Sequence, residues 1–192
     1  MAIFSILAQK ITKTTSSYRC KLIADAYAIW IKEGDKVLDI GCGNGIITNF
    51  LKQRFNIKIT GCDIKNYLVY QIPFIEITNG QLPFTKRVFN LALLNDVLHH
   101  ISKEKQEKLI SEAIKIADRV LIFEAEPTIM GKIADILLNK FHYGDLRIPL
   151  TFRSTENWQE LFKKLGLKSK TIKLERPFWY PFTHIAFKLQ KV

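Results

Sequence analysis

The chain has 192 residues, 47% of them hydrophobic and 24% charged, which is the make-up of one folded domain with a substantial core. Its apolar stretches fall far short of the roughly 20 residues that a membrane-spanning helix needs, and no repeat or low-complexity tract points to a solenoid or a disordered chain. The net charge of +11 allows nucleic acid, membrane surfaces or acidic small molecules as partners without choosing among them.

The first segment, MAIFSILAQKITK, is apolar and then basic, the reverse of the order in a secretory signal, so we expect a cytoplasmic protein without a leader. Three cysteines, Cys20, Cys42 and Cys62, share no metal-ligand spacing and make no disulfide framework. Free thiols agree with a reducing compartment. From Trp158 to the end, eight Lys or Arg stand against two Glu, an excess leaning towards the C-terminus.

Thr14, Thr15, Ser16 and Ser17 read as a loop and helix start. Leu22, Ile23, Ala26, Ile29 and Trp30 then recur at helical spacing, with Gly34 as the stop. Residues 36–40 form a short apolar run that breaks into glycines, a buried strand entering a tight loop. A helix over 46–55 follows, then a strand over 57–62 that ends at Asp63. We expect a short helix within 64–74, a weak strand over 74–78 and a turn at Asn79-Gly80. A strand over 88–94 leads to Asn95 and Asp96. Ser102 caps a helix whose Leu109, Ile110, Ala113, Ile114 and Ala117 form one buried face, and a fifth strand covers 119–123.

Strands alternating with helices give a parallel sheet covered on both faces. The rest differs. Residues 128–153 make a long connection with a helical pattern at Ile129, Ile133, Ile136 and Leu137 and a loop over 141–145. Trp158, Leu161, Phe162 and Leu165 mark another helix, closed by Gly166. Two strands, 169–174 and 184–190, are joined by nine residues without helical pattern. That link is too short for a helical crossover, so the pair is antiparallel.

The strongest local signal is Asp39-Ile40-Gly41-Cys42-Gly43-Asn44-Gly45, between a strand and a helix. Gly41 and Gly43 permit a sharp turn and a close approach of ligand to backbone, and ligands sit outside the carboxyl ends of parallel strands. The phosphate-loop pattern GxxxxGK[ST] is absent. Ile46 stands where a dinucleotide fingerprint has its third glycine or small residue.

The spacing DxGxGxG in VLDIGCGNG resembles the first motif of the class I S-adenosylmethionine-dependent methyltransferases. Asp63 in ITGCDI is similar to the family's acidic residue on the ribose hydroxyls, where a carboxylate can accept two hydrogen bonds. Asn79-Gly80 resembles the segment beside the adenine, with Asn in place of the usual Asp, and FNLALLNDVLHHI resembles the fourth-strand segment beside the methionine moiety. The antiparallel tail fits the family's seventh strand.

The resemblance implies an α/β fold with a seven-stranded sheet in the order 3-2-1-4-5-7-6, the last strand antiparallel, and helices on both faces. It implies one Rossmann-like domain over residues 1–192, with cap helices in 1–34 and a lid or substrate insertion at 128–153. The cofactor is then S-adenosylmethionine, leaving as S-adenosylhomocysteine, held by Asp39, Gly41, Cys42, Gly43, Asp63, Ile64, Asn79, Gly80 and Asn95. A methyl sulfonium is already electrophilic, so no metal is expected. A hydroxyl or thiol acceptor gains from a base, and His100, with His99 before it, stands at the open side of the fourth strand, which makes His100 the expected catalytic residue. Phe178, Trp179, Tyr180 and Phe182 belong to the same edge.

The acceptor we expect is small or lipid-like. One alternative is an RNA methyltransferase using the basic C-terminal third, although no RNA-binding module or NPPY sequence is present. Another is a non-catalytic S-adenosylmethionine-binding subunit of a larger partner.

Overall fold

The computed structural model describes residues 2–78, 80–143 and 149–191, and the side-chain environments within 15–78, 80–136 and 149–191. Seven strands form one sheet: β1 (Lys36–Ile40), β2 (Lys58–Asp63), β3 (Phe74–Glu76), β4 (Phe89–Asn95), β5 (Ala117–Ala125), β6 (Leu167–Lys173) and β7 (His184–Lys191). Their order is β3-β2-β1-β4-β5-β7-β6. The pairs among β1 to β5 are parallel, and β7 runs antiparallel between β5 and β6. Sheet order and the lone antiparallel strand agree with the expectation.

The strands read as apolar runs because both faces are covered. In β4, Leu91 and Leu93 point into a core shared with Ile23, Tyr27 and Trp30 and with Leu51. Ala92 and Leu94 point into the opposite core, with Ile110, Ile114, Trp158 and Phe162. The first core lies under α1 (Ala2–Tyr27) and α2 (Ile46–Phe55), the second under α3 (Lys103–Ile116) and α5 (Thr155–Lys164); α4 (Ile129–Tyr143) follows β5. Ser102 and Ser154 cap α3 and α5, each accepting a backbone N–H in the first turn.

Three local expectations are corrected. The helix entering β1 is continuous from Ala2 to Tyr27, so Thr14 to Ser17 lie inside it rather than in a loop. Ser and Thr lower helix propensity only slightly, and the buried Cys20, Ile23 and Tyr27 that follow anchor the helix against the sheet. Residues 64–73 contain no helix; Asn66 closes a local turn by accepting the Leu68 N–H, and Val69 N–H donates to Asn44 O, ties that compete with a helical ladder. Residues 141–143 continue α4 instead of forming a loop. The side chain of Leu137 and the loop residues Gly144 and Asp145 lie outside the description, as does Asn79.

The order places the topological switch between β1 and β4, whose carboxyl ends part as their connections leave on opposite faces. Gly41 continues β1 at φ 74, and Asp96 continues β4 at φ 51. Both strands therefore break into left-handed turns at the same edge.

Candidate functional site

A cavity of about 360 Å³ opens at this switch point. Its floor is the glycine loop. The Gly41 and Cys42 N–H groups both donate to Cys62 O, at 2.8 and 3.1 Å, pinning the loop to the end of β2. A Cβ on Gly41 would lie 2.4 Å from a Val97 methyl carbon. Glycine is thus required twice at this position, by φ and by space.

Asp63 ends β2 on the other side of the loop. One of its carboxylate oxygens accepts the Gly43 N–H at 2.9 Å and the other accepts the Ile64 N–H at 2.7 Å. Burial raises its pKa against the pull of those two donors. A carboxylate has room for further donors, so Asp63 can hold vicinal hydroxyls while it holds the loop.

Asp39 sits deeper, 2% exposed. Thr48 donates to one of its oxygens at 2.6 Å, Asn95 to the other at 3.2 Å, and Tyr27 donates to Asn95 at 2.8 Å. This chain ties α1, β1, α2 and β4 together directly beneath the cavity. Burial lifts the Asp39 pKa to about 6 despite the two donors. Burial also pushes the Cys42 and Cys62 thiols well up, which leaves them as neutral packing groups.

Of the residues expected to hold the cofactor, Asp39, Gly41, Cys42, Gly43, Asp63, Ile64 and Asn95 all line this one cavity, and His100 lines it too. Gly80, at φ 63, forms its turn without lining the cavity. These residues fit an adenosyl cofactor: a floor of glycine backbone, a carboxylate at the end of β2 with room for further donors, and polar groups below.

The opposite wall is a cluster that the sequence only partly disclosed. His99 is 3% exposed; its Nδ1 lies 2.5 Å from a Glu124 oxygen and its Nε2 3.6 Å from Asp135. Burial alone would lower its pKa, but the charge of Glu124 and the bonds to both carboxylates raise it to about 10. His99 is therefore an imidazolium. Phe152 stacks on it at 4.7 Å, and the His100 ring tilts against it at 4.0 Å. For His100 burial and the His99 charge act together and pull the pKa down to about 4, so it is neutral. Its Nδ1 is buried without a hydrogen-bond partner among the described residues. His99, His100 and Asp135 bring three possible metal-ligand atoms within 4.8 Å, but both nitrogens of His99 already face carboxylates.

The remaining wall comes from α1 and the link before β7. Arg19 pairs with Asp96 at 3.5 Å, and His184 faces the other Asp96 oxygen at 3.4 Å. Burial would raise the Asp96 pKa, yet His184 and Arg19 hold it well below the usual carboxylate range. Tyr180 and Phe182 complete this side, with the Tyr180 phenol pushed up by burial and so a neutral group. Arg19, Asp135 and His184 were not singled out from sequence. Isolated polar residues on a long helix, on α4 and on a terminal strand carry no local pattern; only the fold brings them together.

The methyltransferase-domain family model matches residues 13–171. A ribosomal protein L11 methyltransferase from Acetivibrio thermocellus is 28% identical over 95 residues, half of this chain; the chain spans about a quarter of that curated relative's length (27%). Magnesium protoporphyrin IX methyltransferase from Synechocystis, crystallised with bound S-adenosylhomocysteine, superposes with a TM-score of 0.61 at 19% identity, covering 94% of this chain and 83% of the other. A cyclopropane-fatty-acyl-phospholipid synthase-like protein from Lactobacillus casei gives a TM-score of 0.70 at 15% identity, over 95% and 93% of the two chains. The glycine loop, the Asp63 carboxylate and the 3-2-1-4-5-7-6 sheet thus belong to a member of the S-adenosylmethionine-dependent methyltransferase-domain family, of class I architecture.

Proposed function

We propose that the chain transfers a methyl group from S-adenosylmethionine to a small or lipid-like acceptor by direct in-line displacement. One observation carries this: the glycine loop and Asp63 open into the same cavity as His100, Tyr180 and Phe182, so donor and acceptor sites share one enclosed space. The phospholipid-related neighbour supports an acceptor of this kind. Bound cofactor supplies an electrophilic methyl group.

Asp63 holds the ribose hydroxyls, and Asp39 and Asn95 close the polar end below the loop. The aromatic pair orients the acceptor and keeps water out. His100, neutral and with an unpartnered nitrogen, accepts the proton of a hydroxyl or thiol acceptor.

An RNA acceptor is the second reading, resting on the exposed Lys168, Lys170 and Lys173 of β6. Lys170 lies directly across from Lys188, a like-charged pair that an external anion would relieve. These lysines follow the edge of the sheet rather than the rim of the cavity, which favours the first reading.

The test is incubation of the protein and methyl-labelled S-adenosylmethionine with cell extract, resolved into lipid, water-soluble and RNA fractions. Label in the lipid or small-molecule fraction is expected. Label confined to RNA would overturn the acceptor class, and tight cofactor binding with no transfer into any fraction would identify a non-catalytic subunit.

A further inference from the structure

The α4 helix turns one face inward and leaves the other bare. Asp135 reaches the cavity, whereas Ile129, Met130, Ile133 and Ile136 are 79%, 58%, 55% and 53% exposed. Their spacing puts all four on one side of the helix. Gly131, in the first turn, packs close to the link before β7: a Cβ there would sit 3.6 Å from Phe182 and 3.8 Å from the Pro181 carbonyl. That link exposes Phe178 to 94% and Trp179 to 46%. Trp179 in turn meets Tyr18 of α1 edge-on at 4.9 Å. Three elements that each contribute to the cavity wall are thus in contact, and α4 and the link present six large apolar side chains to solvent. Isolated exposed apolar residues are ordinary; a grouping on adjoining elements is not.

Charge identifies what this surface meets. Exposed Lys21 of α1 and exposed Lys132 of α4 belong to these elements, in a chain of net charge +11. Exposed Lys132 stands between Ile129 and Ile133 on α4. Apolar side chains interleaved with lysines, Trp and Phe at the edge, and no described helix long and apolar enough to cross a membrane are the attributes of a surface that lies on a bilayer. Lysines add attraction to anionic headgroups, which a second copy of a basic chain would instead repel.

We propose that the exposed face of α4 and the Phe178–Trp179 tip dock on an anionic bilayer, with the cavity mouth turned to the lipid. The docking gives the lipid-like acceptor of the proposed function a route into the cavity and, as a route, rests on that reading. Ile129, Ile133 and Phe178 enter the headgroup boundary, while Lys132 stays at the phosphate level.

The experiment is co-sedimentation of the whole protein with vesicles of phosphatidylcholine alone and of phosphatidylcholine with phosphatidylglycerol, without cofactor or acceptor. Binding to the phosphatidylglycerol vesicles, weakened by salt, is expected. Ile133→Glu and Phe178→Ser should each lower the partition coefficient about tenfold, with S-adenosylhomocysteine affinity by calorimetry unchanged as proof of folding. Equal binding to both vesicle types, or variants that bind like the parent, would overturn the proposal. So would a parent dimer that Ile133→Glu converts to a monomer, since a second copy would then cover the face. Label found only in water-soluble compounds, with vesicle binding intact, would remove the lipid-like acceptor and leave the docking surface standing.

Discussion

Glu124 on β5 lies 2.5 Å from the imidazole of His99, both side chains 3% exposed or less, and its other oxygen accepts the backbone N–H groups of Val97 and Leu98 at 3.0 and 2.7 Å. One buried carboxylate thus sets both the backbone and the charge of the turn that carries His99 and His100.

Glu124→Gln keeps an acceptor for the two backbone groups and removes the charge. It should cost about 3 kcal/mol in urea unfolding at neutral pH, as for a buried ion left without its partner. The pH dependence follows from the direction of the shift. His99 titrates at about 10 when folded against a reference of 6.5, so its stabilising contribution is full below about 6.5 and is lost as pH rises through 10. The variant should flatten that alkaline decline. A parent-like decline would show that His99 is not the group responsible.

Asp63→Ala should weaken S-adenosylhomocysteine binding by about 1.5–3 kcal/mol, the usual value of hydrogen bonds to a charged group. Calorimetry at neutral pH measures this. Burial raises the Asp63 pKa from 3.8, so affinity should also fall as pH drops towards the acidic range and the carboxylate protonates. Unchanged affinity in the variant would remove Asp63 from the ribose site.

Gly41→Ala forces a Cβ onto Val97 at φ 74. Thermal unfolding should show a loss of about 2 kcal/mol together with weakened cofactor binding. Adding Val97→Ala removes the 2.4 Å methyl contact but leaves the Val97 Cβ at 2.9 Å and the backbone strain, so recovery should be partial. Full recovery would mean that φ at this position is unimportant.

His100→Gln should lower turnover on a hydroxyl or thiol acceptor by about 10²–10⁴-fold, with S-adenosylhomocysteine affinity within a few-fold of the parent. Because the pKa in the ligand-free protein is about 4, the ascending limb of kcat/KM that this group controls lies near pH 4, and the variant should lose it. A parallel fall in cofactor affinity would make His100 a binding residue.

The sheet was legible because its strands carry dense apolar runs and its turns carry glycine. The cofactor half of the cavity was legible because a glycine loop and a strand-end carboxylate are local patterns. The helix expected within 64–74 failed where Asn66 and Asn44 supply competing turns. The 124–135 region was opaque for another reason. Glu124 looks like part of a buried strand, and its partner His99 is 25 residues away. Only the β4–β5 pairing, with Asn95 opposite Phe123, brings their two ends together.

β7 also has a consequence in time. It is made last of the seven strands, yet it fits between β5 and β6, with Val120 opposite Leu189 and Ala125 opposite His184. Until it arrives, the backbone groups along one side of β5 have no ladder partner, beside side chains as apolar as Leu121, Ile122 and Phe123. A chain emerging from the ribosome therefore passes through a stage with an open, sticky strand edge, when self-association competes with completion of the sheet. Tyr180, Phe182 and His184 arrive with that same final segment, so the cavity acquires its last wall in the step that seals the edge.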